Sequence, residues 1–379
     1  MKISLPKIPT HGPIQTLTRL FRQCALGALL LRPPSPPPEP QIPEPQPELS
    51  QKNQRKTRKN QKQPSPTSRN SSLTWTNPME NTSFLPGTTT QFVWDSTSLG
   101  ALKTCPRYYY YTIVKGYRKE KTPPPLAFGI LFHIGQEQFQ KNLATGFSHD
   151  ESIRNVIKFL APRLNELEYP VPDTSRTPLT LIRALVWHFD KFKDSELKTV
   201  FIGGAPAVEL SFKLPFLTIN GVQTYLSGHL DWLVSFQDDL WFVDFKTTKY
   251  ELDNNFFNQF SPSNQIDIYT LATKVVLAQE AKGGIIDGIQ LSPNFNRFRR
   301  HMEIRSPEQV DEFVEDTLLW LNQAFAFSEN KTWPKNETSC SNYGGCVFRG
   351  ICSKTPGIRD HFLETEFIQK VWDPNIPRG

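Results

Sequence analysis

Apolar residues recur at regular spacing from about residue 92 to about residue 372, and this part of the chain is predicted to fold. Helical spacing predicts an opening helix with Ser96 as its N-cap, a helix through residues 128–139, and an amphipathic helix that begins at Ser306. Alternating apolar and polar positions predict strands at 207–214, 223–236, 240–246 and 283–291. Helices that alternate with strands indicate an α/β or α+β domain, with a central mixed β-sheet flanked by helices.

The first 91 residues have a different pattern. Nine of the fifteen positions from Pro33 to Pro47 are proline, which holds the chain extended and excludes it from helices and sheets. Basic, Asn- and Gln-rich residues follow, and then a Ser/Thr/Asn/Pro-rich stretch that buries too little apolar area to offset the entropy of ordering. We therefore expect a disordered tail over 1–91, one domain over 92–372 and a short C-terminal tail over 373–379.

The formal net charge of +6 belongs to the tail. Residues 1–75 hold 12 Lys and Arg against three acids, so the remaining chain has 31 bases and 34 acids and a net charge of −3. The basic tail is compatible with non-specific phosphate contacts, with an import signal, or with a merely solvated segment. The domain needs a local basic patch to bind nucleic acid. Arg297, Arg299, Arg300 and His301 are the candidates, and a solvated hairpin tip is the alternative.

The cysteines are few and unevenly placed. Cys340, Cys346 and Cys352 crowd together near the C-terminal end, Cys105 lies far upstream, and Cys24 falls in the tail. This distribution is not typical of a disulfide-rich secreted protein and predicts a site ligated by thiols. No stretch approaches the roughly 18 uninterrupted apolar residues that cross a bilayer. We therefore expect an intracellular, cytoplasmic protein without a membrane segment.

The main candidate catalytic residues lie in two predicted strands that are joined by a short acidic turn. This arrangement predicts an antiparallel hairpin. Asp244 and Lys246 are two residues apart and share one strand face, and Asp231 can reach the same end of that face from the partner strand. Carboxylates bind Mg²⁺ or Mn²⁺ while leaving positions for water and a phosphate, and the lysine can position or deprotonate the water. The pattern suits phosphodiester hydrolysis. A surface ion pair is the structural alternative, but charges beside an apolar run are costly unless they are used.

These residues resemble the motifs of the PD-(D/E)XK nuclease superfamily, and within it the RecB-type exonuclease branch with CRISPR-adaptation nucleases and AddB-like helicase–nuclease subunits. The matching segments occur in the family's order: Gly129-Ile130-Leu131-Phe132-His133, Gly228-His229-Leu230-Asp231, Val243-Asp244-Phe245-Lys246-Thr247 and Gln265-Ile266-Asp267-Ile268-Tyr269. The resemblance implies that His133, Asp231 and Asp244 hold the metal ion. It also implies that Lys246 serves catalysis.

Three further positions take their roles from the same resemblance. Gln265 and Tyr269 would support the site or the scissile strand, although residues four apart on a helix also describe an ordinary packing pair. Glu209 falls where the family often has another acid. His229 has a weaker claim to the metal than His133.

The resemblance implies a metal-dependent DNA nuclease that hydrolyses phosphodiester bonds, in particular an exonuclease in DNA repair, recombination or mobile-element DNA processing. It implies DNA that is single-stranded or has free ends as the substrate, and a helicase or recombinase as a partner. Two alternatives stay open. One is a catalytically silent DNA-binding or assembly subunit of a helicase or recombinase complex, and the other is a nuclease directed at RNA.

The iron–sulfur branch of this family has three C-terminal cysteines and one remote N-terminal cysteine. The resemblance therefore implies that Cys105, Cys340, Cys346 and Cys352 hold a 4Fe-4S cluster that joins the ends of the domain. The spacing departs from many members, because both C-terminal gaps hold five residues. Zinc stays open as the alternative, since four thiolates satisfy either centre. A link of this kind removes loop entropy from the unfolded chain, so the centre is expected to be structural.

Overall fold

The computed structural model describes residues 83–167 and 173–376, so most of the predicted tail, including Cys24, lies outside the described residues. The described helices are α1 (Ser96–Thr104), α2 (Pro106–Tyr109), α3 (Pro124–Ala144), α4 (His149–Leu160), α5 (Pro178–Lys191), α6 (Asn254–Asn258), α7 (Asn264–Val276), α8 (Pro307–Glu329), α9 (Arg349–Cys352) and α10 (Arg359–Glu366). Shorter helical segments are the π-helix Tyr110–Val114 and the 3-10 helices Ala161–Leu167, Glu337–Ser339, Asn342–Gly344 and Pro356–Ile358.

The described strands are β1 (Val93–Trp94), β2 (Tyr117–Arg118), β3 (Lys198–Thr199), β4 (Phe201–Ile202), β5 (Ala205–Pro206), β6 (Val208–Ile219), β7 (Val222–Phe236), β8 (Asp239–Thr248), β9 (Gly283–Leu291), β10 (Asn296–Ile304) and β11 (Ile368–Gln369). Seven of them form one mixed sheet in the order β1-β7-β8-β9-β10, with β3 and β6 also paired to β7. β7 and β8 are an antiparallel hairpin, β8 and β9 are parallel, and β9 and β10 are antiparallel. The predicted mixed sheet flanked by helices is confirmed.

The sheet separates two apolar cores, because successive strand residues point to opposite faces. On one face α1, α7 and α8 cover Phe242 and its neighbours, while α3 and α5 cover Val243 and Phe245 on the other. Each strand in the middle of the sheet is therefore apolar on both faces, and charged side chains can be accommodated only where strands separate or end.

The helix starts follow local capping chemistry. Ser306 is the N-cap of α8, as predicted, and its hydroxyl accepts a hydrogen bond from the Gln309 amide at 3.3 Å. The predicted N-cap of the opening helix is wrong by one residue. Asp95 is the cap, and its carboxylate accepts from the Ser98 amide at 2.8 Å. A carboxylate also interacts favourably with the helix dipole, so Asp95 is the better cap.

A third, smaller core joins the beginning and the end of the domain. Tyr111 and Tyr117 from the N-terminal side pack with Phe348, Leu363 and Phe367 from the C-terminal side. Strand β2 pairs with β11 in the same region. Within the described part of the chain, no helix has both the length and the apolar character needed to cross a membrane.

Candidate functional site

The hairpin strands β7 and β8 diverge at the predicted acidic motifs. Their last registered pair is Trp232 with Val243, beyond which β7 stays paired with β6 and β8 with β9. On the side of Phe245 that faces β7, two side chains take the place of the missing hydrogen bonds from that strand. Its amide donates to Asp231 Oδ2 at 3.2 Å, and its carbonyl lies 2.7 Å from His133 Nε2. These two side chains bridge the space between the parting strands, which we call the cleft.

His133 is placed in this cleft by α3, the helix that packs across the sheet. Its Nδ1 lies 3.0 Å from Asp231 Oδ2, while Nε2 faces the Phe245 carbonyl. Both ring nitrogens therefore face acceptors, an arrangement that favours the doubly protonated imidazolium. Burial disfavours that charge, but the adjacent Asp231 carboxylate outweighs it and raises the pKa of His133 to about 9. The same ion pair outweighs burial at Asp231 and lowers the pKa of that carboxyl.

The His133–Asp231 pair predicts a stability change in alkaline solution. The folded-state pKa of about 9 exceeds the ordinary value of 6.5, so the stabilising contribution is fully present below pH 6.5 and is lost as pH rises through about 9. We expect the free energy of unfolding of metal-free protein to fall across this window. Urea denaturation at several pH values measures it, and His133→Gln should remove most of the slope. An equal slope in that variant would contradict the assignment.

Asp244 occupies the other side of the cleft and is 1% exposed. Its Oδ2 lies 2.7 Å from Lys246 Nζ, and its Oδ1 accepts from Gln265 Nε2 at 3.0 Å. Burial and the nearby Asp231 raise the pKa of Asp244 despite the opposing effect of Lys246. In the described structure Oδ2 has no hydrogen bond of good geometry besides this ion pair, so a buried oxygen remains with coordinating capacity.

Gln265 connects the parts of this arrangement from α7. Its Oε1 accepts from Lys246 Nζ at 3.0 Å, and its Nε2 donates to Asp244 and, at 3.1 Å, to Tyr269 Oη. One amide thus fixes both the acid and the amine of the Asp-x-Lys motif. The pair one helical turn apart is therefore more than a packing pair, because its polar ends meet the predicted site.

Glu209 completes the group around His133. One ligand atom each from His133, Glu209 and Asp231 lies within 4.8 Å of the other two, and all three residues are partly exposed. The backbone of Glu209 has a φ of 53°, in the left-handed region that disfavours residues with a side chain. Such strain is typical of positions whose side chain must point in a particular direction.

The structure brings every carboxylate, amine and amide of the predicted site to one cleft, but it groups them differently from the sequence prediction. His133 and Asp231 converge with Glu209, whereas Asp244 pairs with Lys246 and Gln265. The position of Glu209 in the motif order was the available signal for it. His229 lies outside the group, and its Nδ1 is 2.8 Å from Ser211 Oγ.

One of the two motif glycines is explained by close packing. A Cβ at Gly228 would lie 2.7 Å from the Phe212 ring and 3.0 Å from the Tyr269 ring, so a side chain there would displace the tyrosine that contacts Gln265. A Cβ at Gly129 would lie 3.8 Å from Thr247 Oγ1, an ordinary contact. Gly228 is thus required by the packing beside the candidate site, whereas Gly129 has room for a methyl group.

The four predicted thiols share one neighbourhood next to the third core. Cys105 lies between α1 and α2, and the Asn336 amide lies 3.2 Å from its Sγ. The Cys346 amide donates to the Cys340 carbonyl at 3.0 Å. Burial, with repulsion from the other three thiols, raises the pKa of Cys346. For Cys352, burial is again the main cause of a raised pKa, and Cys105 adds to it.

One comparison with known proteins identifies a family. A family model for the PD-(D/E)XK nuclease superfamily matches residues 96–353, a range that contains all four motifs and the four clustered cysteines. A solved structure titled "Crystal structure of SSO0001" aligns with 69% of this chain and 87% of its own, at 14% identity and a TM-score of 0.30. Similarity of that extent carries no weight in the assignment. No curated protein matches the sequence.

Proposed function

The chain belongs to the PD-(D/E)XK nuclease superfamily, and we propose that it is a metal-dependent DNA nuclease that uses the cleft between β7 and β8 to hydrolyse phosphodiester bonds. Exonucleolytic action on single strands or free ends is part of the proposal. The observation that carries it is the convergence of His133, Glu209 and Asp231 beside the Asp244–Lys246 pair. Asp244 is the buried member of this arrangement, and a buried carboxylate is costly without a use.

The donor set fits a divalent ion. Ligand atoms around one such ion lie at most about 4.4 Å apart, since each is about 2.0–2.2 Å from the metal. The group around His133 is within 4.8 Å, so small side-chain adjustments complete it. Asp244 Oδ2, whose only contact with a charged group in the described structure is the ion pair with Lys246, provides a further oxygen at the edge of the cleft. Because the set mixes an imidazole with carboxylates, we expect Mn²⁺ to be bound more tightly than Mg²⁺.

When bound, the ion would neutralise charge on the phosphate and lower the pKa of a water molecule. His133, Glu209 and Asp231 would hold it, and His133 would first give up a proton, because both its nitrogens face acceptors. Lys246, held by Asp244 and Gln265, would place its ammonium beside the attacking water and the scissile phosphate. Hydrolysis joins the water oxygen to phosphorus and breaks the ester bond, and the departing oxygen takes up a proton.

A digestion series tests this function. Wild-type protein is incubated with single-stranded DNA, duplex DNA or RNA, each with Mn²⁺, Mg²⁺ or chelator, and the products are resolved by length. We expect metal-dependent loss of DNA, with Mn²⁺ active at lower concentration than Mg²⁺. Glu209→Gln should raise the Mn²⁺ concentration for half-maximal rate by at least about tenfold.

The same series separates the alternatives. Stepwise shortening from the ends supports exonuclease action, whereas internal fragments from a closed circle contradict it. Preferential loss of RNA would establish the RNA-directed alternative. Binding of DNA without cleavage under any metal condition would favour the silent subunit and would reject the catalytic assignment.

We also propose that Cys105, Cys340, Cys346 and Cys352 hold a 4Fe-4S cluster. The supporting observation is the proximity of the four thiols, since Cys346 lies close enough to the other three for them to influence its ionisation, and a bound metal would favour the thiolate form that ligates it. Zinc is the alternative occupant. Its four thiolates lie about 3.8 Å apart when each is about 2.3 Å from the ion. The iron, zinc and sulfide content of the purified protein distinguishes the two occupants.

A further inference from the structure

Residues that are paired across β8, β9 and β10 connect the candidate site with the edge strand β10. Lys246 pairs with Gly288, and Gly288 pairs with Arg299. Directly paired residues point to the same face, and the two interstrand spacings amount to about 10 Å. Arg297, two residues along β10, shares this face. Both arginines are exposed.

Successive side chains of β10 point to opposite faces of the sheet. The basic residues Arg297, Arg299, Arg300 and His301 therefore do not all share one face. Arg300 points to the opposite face, where its Nε donates to Asp287 at 2.8 Å. His301 packs against the ring of Phe257, with centroids 5.0 Å apart. Arg297 and Arg299 are therefore the two arginines of the run that are exposed on the face of Lys246. Arg299 lies within β10, away from the turn between β9 and β10, whereas Arg297 is the second residue of β10 and lies beside that turn.

A loop bridges the gap between the site and these arginines. Residues 249–253 follow directly on β8, and a Cβ at Gly288 would lie 2.8 Å from Leu252, so the loop crosses over β9 at the glycine. The Leu252 carbonyl accepts from Arg299 Nη1 at 2.8 Å, which fixes the loop to β10. Tyr250, on this loop, is 70% exposed.

Cations and aromatic rings are paired along this surface. Lys249 Nζ lies 5.5 Å from the centroid of the Tyr250 ring, and the Arg297 guanidinium lies 4.8 Å from that of Phe295. Phe295 is 38% exposed. Rings that lie open to solvent beside cations can stack on bases while the cations contact phosphates. A duplex keeps its base faces inside the stack, so this arrangement suits a single strand.

We infer that Lys249, Tyr250, Phe295, Arg297 and Arg299, here called the cation–aromatic surface, bind a single-stranded nucleic acid and lead it to Lys246. The inference deepens the proposed function, on which it rests for the direction of the strand. Glu251 is exposed in the same loop and carries the opposite charge. Glu251 therefore tests whether the surface binds a negatively charged strand, since removing its negative charge should raise the affinity.

The test measures affinity and turnover separately. A fluorescein-labelled oligo-dT and a duplex of equal length are titrated in the Lys246→Ala background by fluorescence anisotropy at several salt concentrations. We expect Tyr250→Ala to weaken single-strand binding about tenfold. Arg297→Ala with Arg299→Ala should lower the slope of log affinity against log salt by about 1.4, or about 0.7 per phosphate. Glu251→Gln should tighten binding.

Matched controls lie on the opposite side of the sheet. Arg154 on α4 and Phe147, which is 47% exposed between α3 and α4, should tolerate alanine without a change in affinity. In otherwise wild-type protein, the surface variants should raise KM for single strands and leave kcat within about twofold. A structural role would not produce that split.

The outcomes distinguish the proposed role of the cation–aromatic surface from the proposed nuclease activity. If the wild-type protein cleaves DNA and all variants of the cation–aromatic surface have an unchanged KM, the proposed role of that surface is wrong. The nuclease assignment is then unaffected. No cleavage, with single-strand binding weakened by the same variants, would overturn the nuclease and support the surface. Equal affinity for single strand and duplex, or no binding at all, would overturn the surface.

Discussion

Lys246→Ala should reduce metal-dependent cleavage by about a thousandfold while leaving the protein folded. The amine is 2.7 Å from Asp244 Oδ2 and 3.0 Å from Gln265 Oε1, so it is held in one place beside the cleft. Its side chain is 28% exposed, enough to meet a phosphate or water. Removing it leaves the proposed metal ligands around His133 intact and removes a positive charge where negative charge would develop.

The measurement is the single-turnover rate on an end-labelled single strand with saturating Mn²⁺, together with thermal unfolding of each variant. Lys282→Ala is the matched control, because Lys282 is also a lysine beside β8, paired with Asp239 at 2.5 Å but remote from the cleft. That variant should retain the wild-type rate. A Lys246→Ala protein that cleaves at the wild-type rate would show that the assigned site is wrong.

Cys346→Ser should cause the largest loss of stability among the conservative variants, with loss of bound iron and a melting temperature lower by at least about 10 °C. The thiol cluster lies where Tyr111 and Phe348 join the two ends of the domain. Without a bound centre the third core must hold these ends alone. We expect this loss because the unfolded chain of the variant is no longer closed into a long loop, and its conformational entropy is therefore higher.

Iron, zinc and inorganic sulfide are measured in anaerobically purified protein, with thermal unfolding in parallel. Cys24→Ser is a matched control within the same chain, because the sequence places Cys24 in the tail, outside the four clustered thiols. It should change neither metal content nor melting temperature. Zinc at one equivalent without sulfide would contradict the 4Fe-4S cluster, and unchanged stability in metal-free Cys346→Ser would contradict a structural role.

Much of the fold was predictable because its signals are local. Alternation in 223–236 and 283–291 predicted β7 and β9 to within a residue, and Ser306-Pro307 marked the start of α8. The helix N-cap at Asp95 was missed by one residue, since Asp, Ser and Thr are all competent caps and only the backbone geometry distinguishes among them.

For the candidate site, the sequence indicated residues that lie close together in the structure, but it did not indicate how they are grouped. Asp244 and Lys246 share a strand face by periodicity alone, and their ion pair follows. The partnership of Glu209 with His133 and Asp231 depends on a left-handed residue in β6 and on the crossing of α3. Neither the sign of a dihedral angle nor a contact between distant segments leaves a periodic signal in the sequence.

By itself the sequence determined the order of the elements, the motif residues and the clustering of three cysteines, because each depends on neighbours along the chain. Only the tertiary structure decided which residues meet: that β7 and β8 part at Trp232 and Val243, and that Asp231 and His133 fill the space between them. It also decided that Arg299, but not Arg300, lies on the face of Lys246. Register across three strands fixes that choice, and register depends on the packing of the entire sheet.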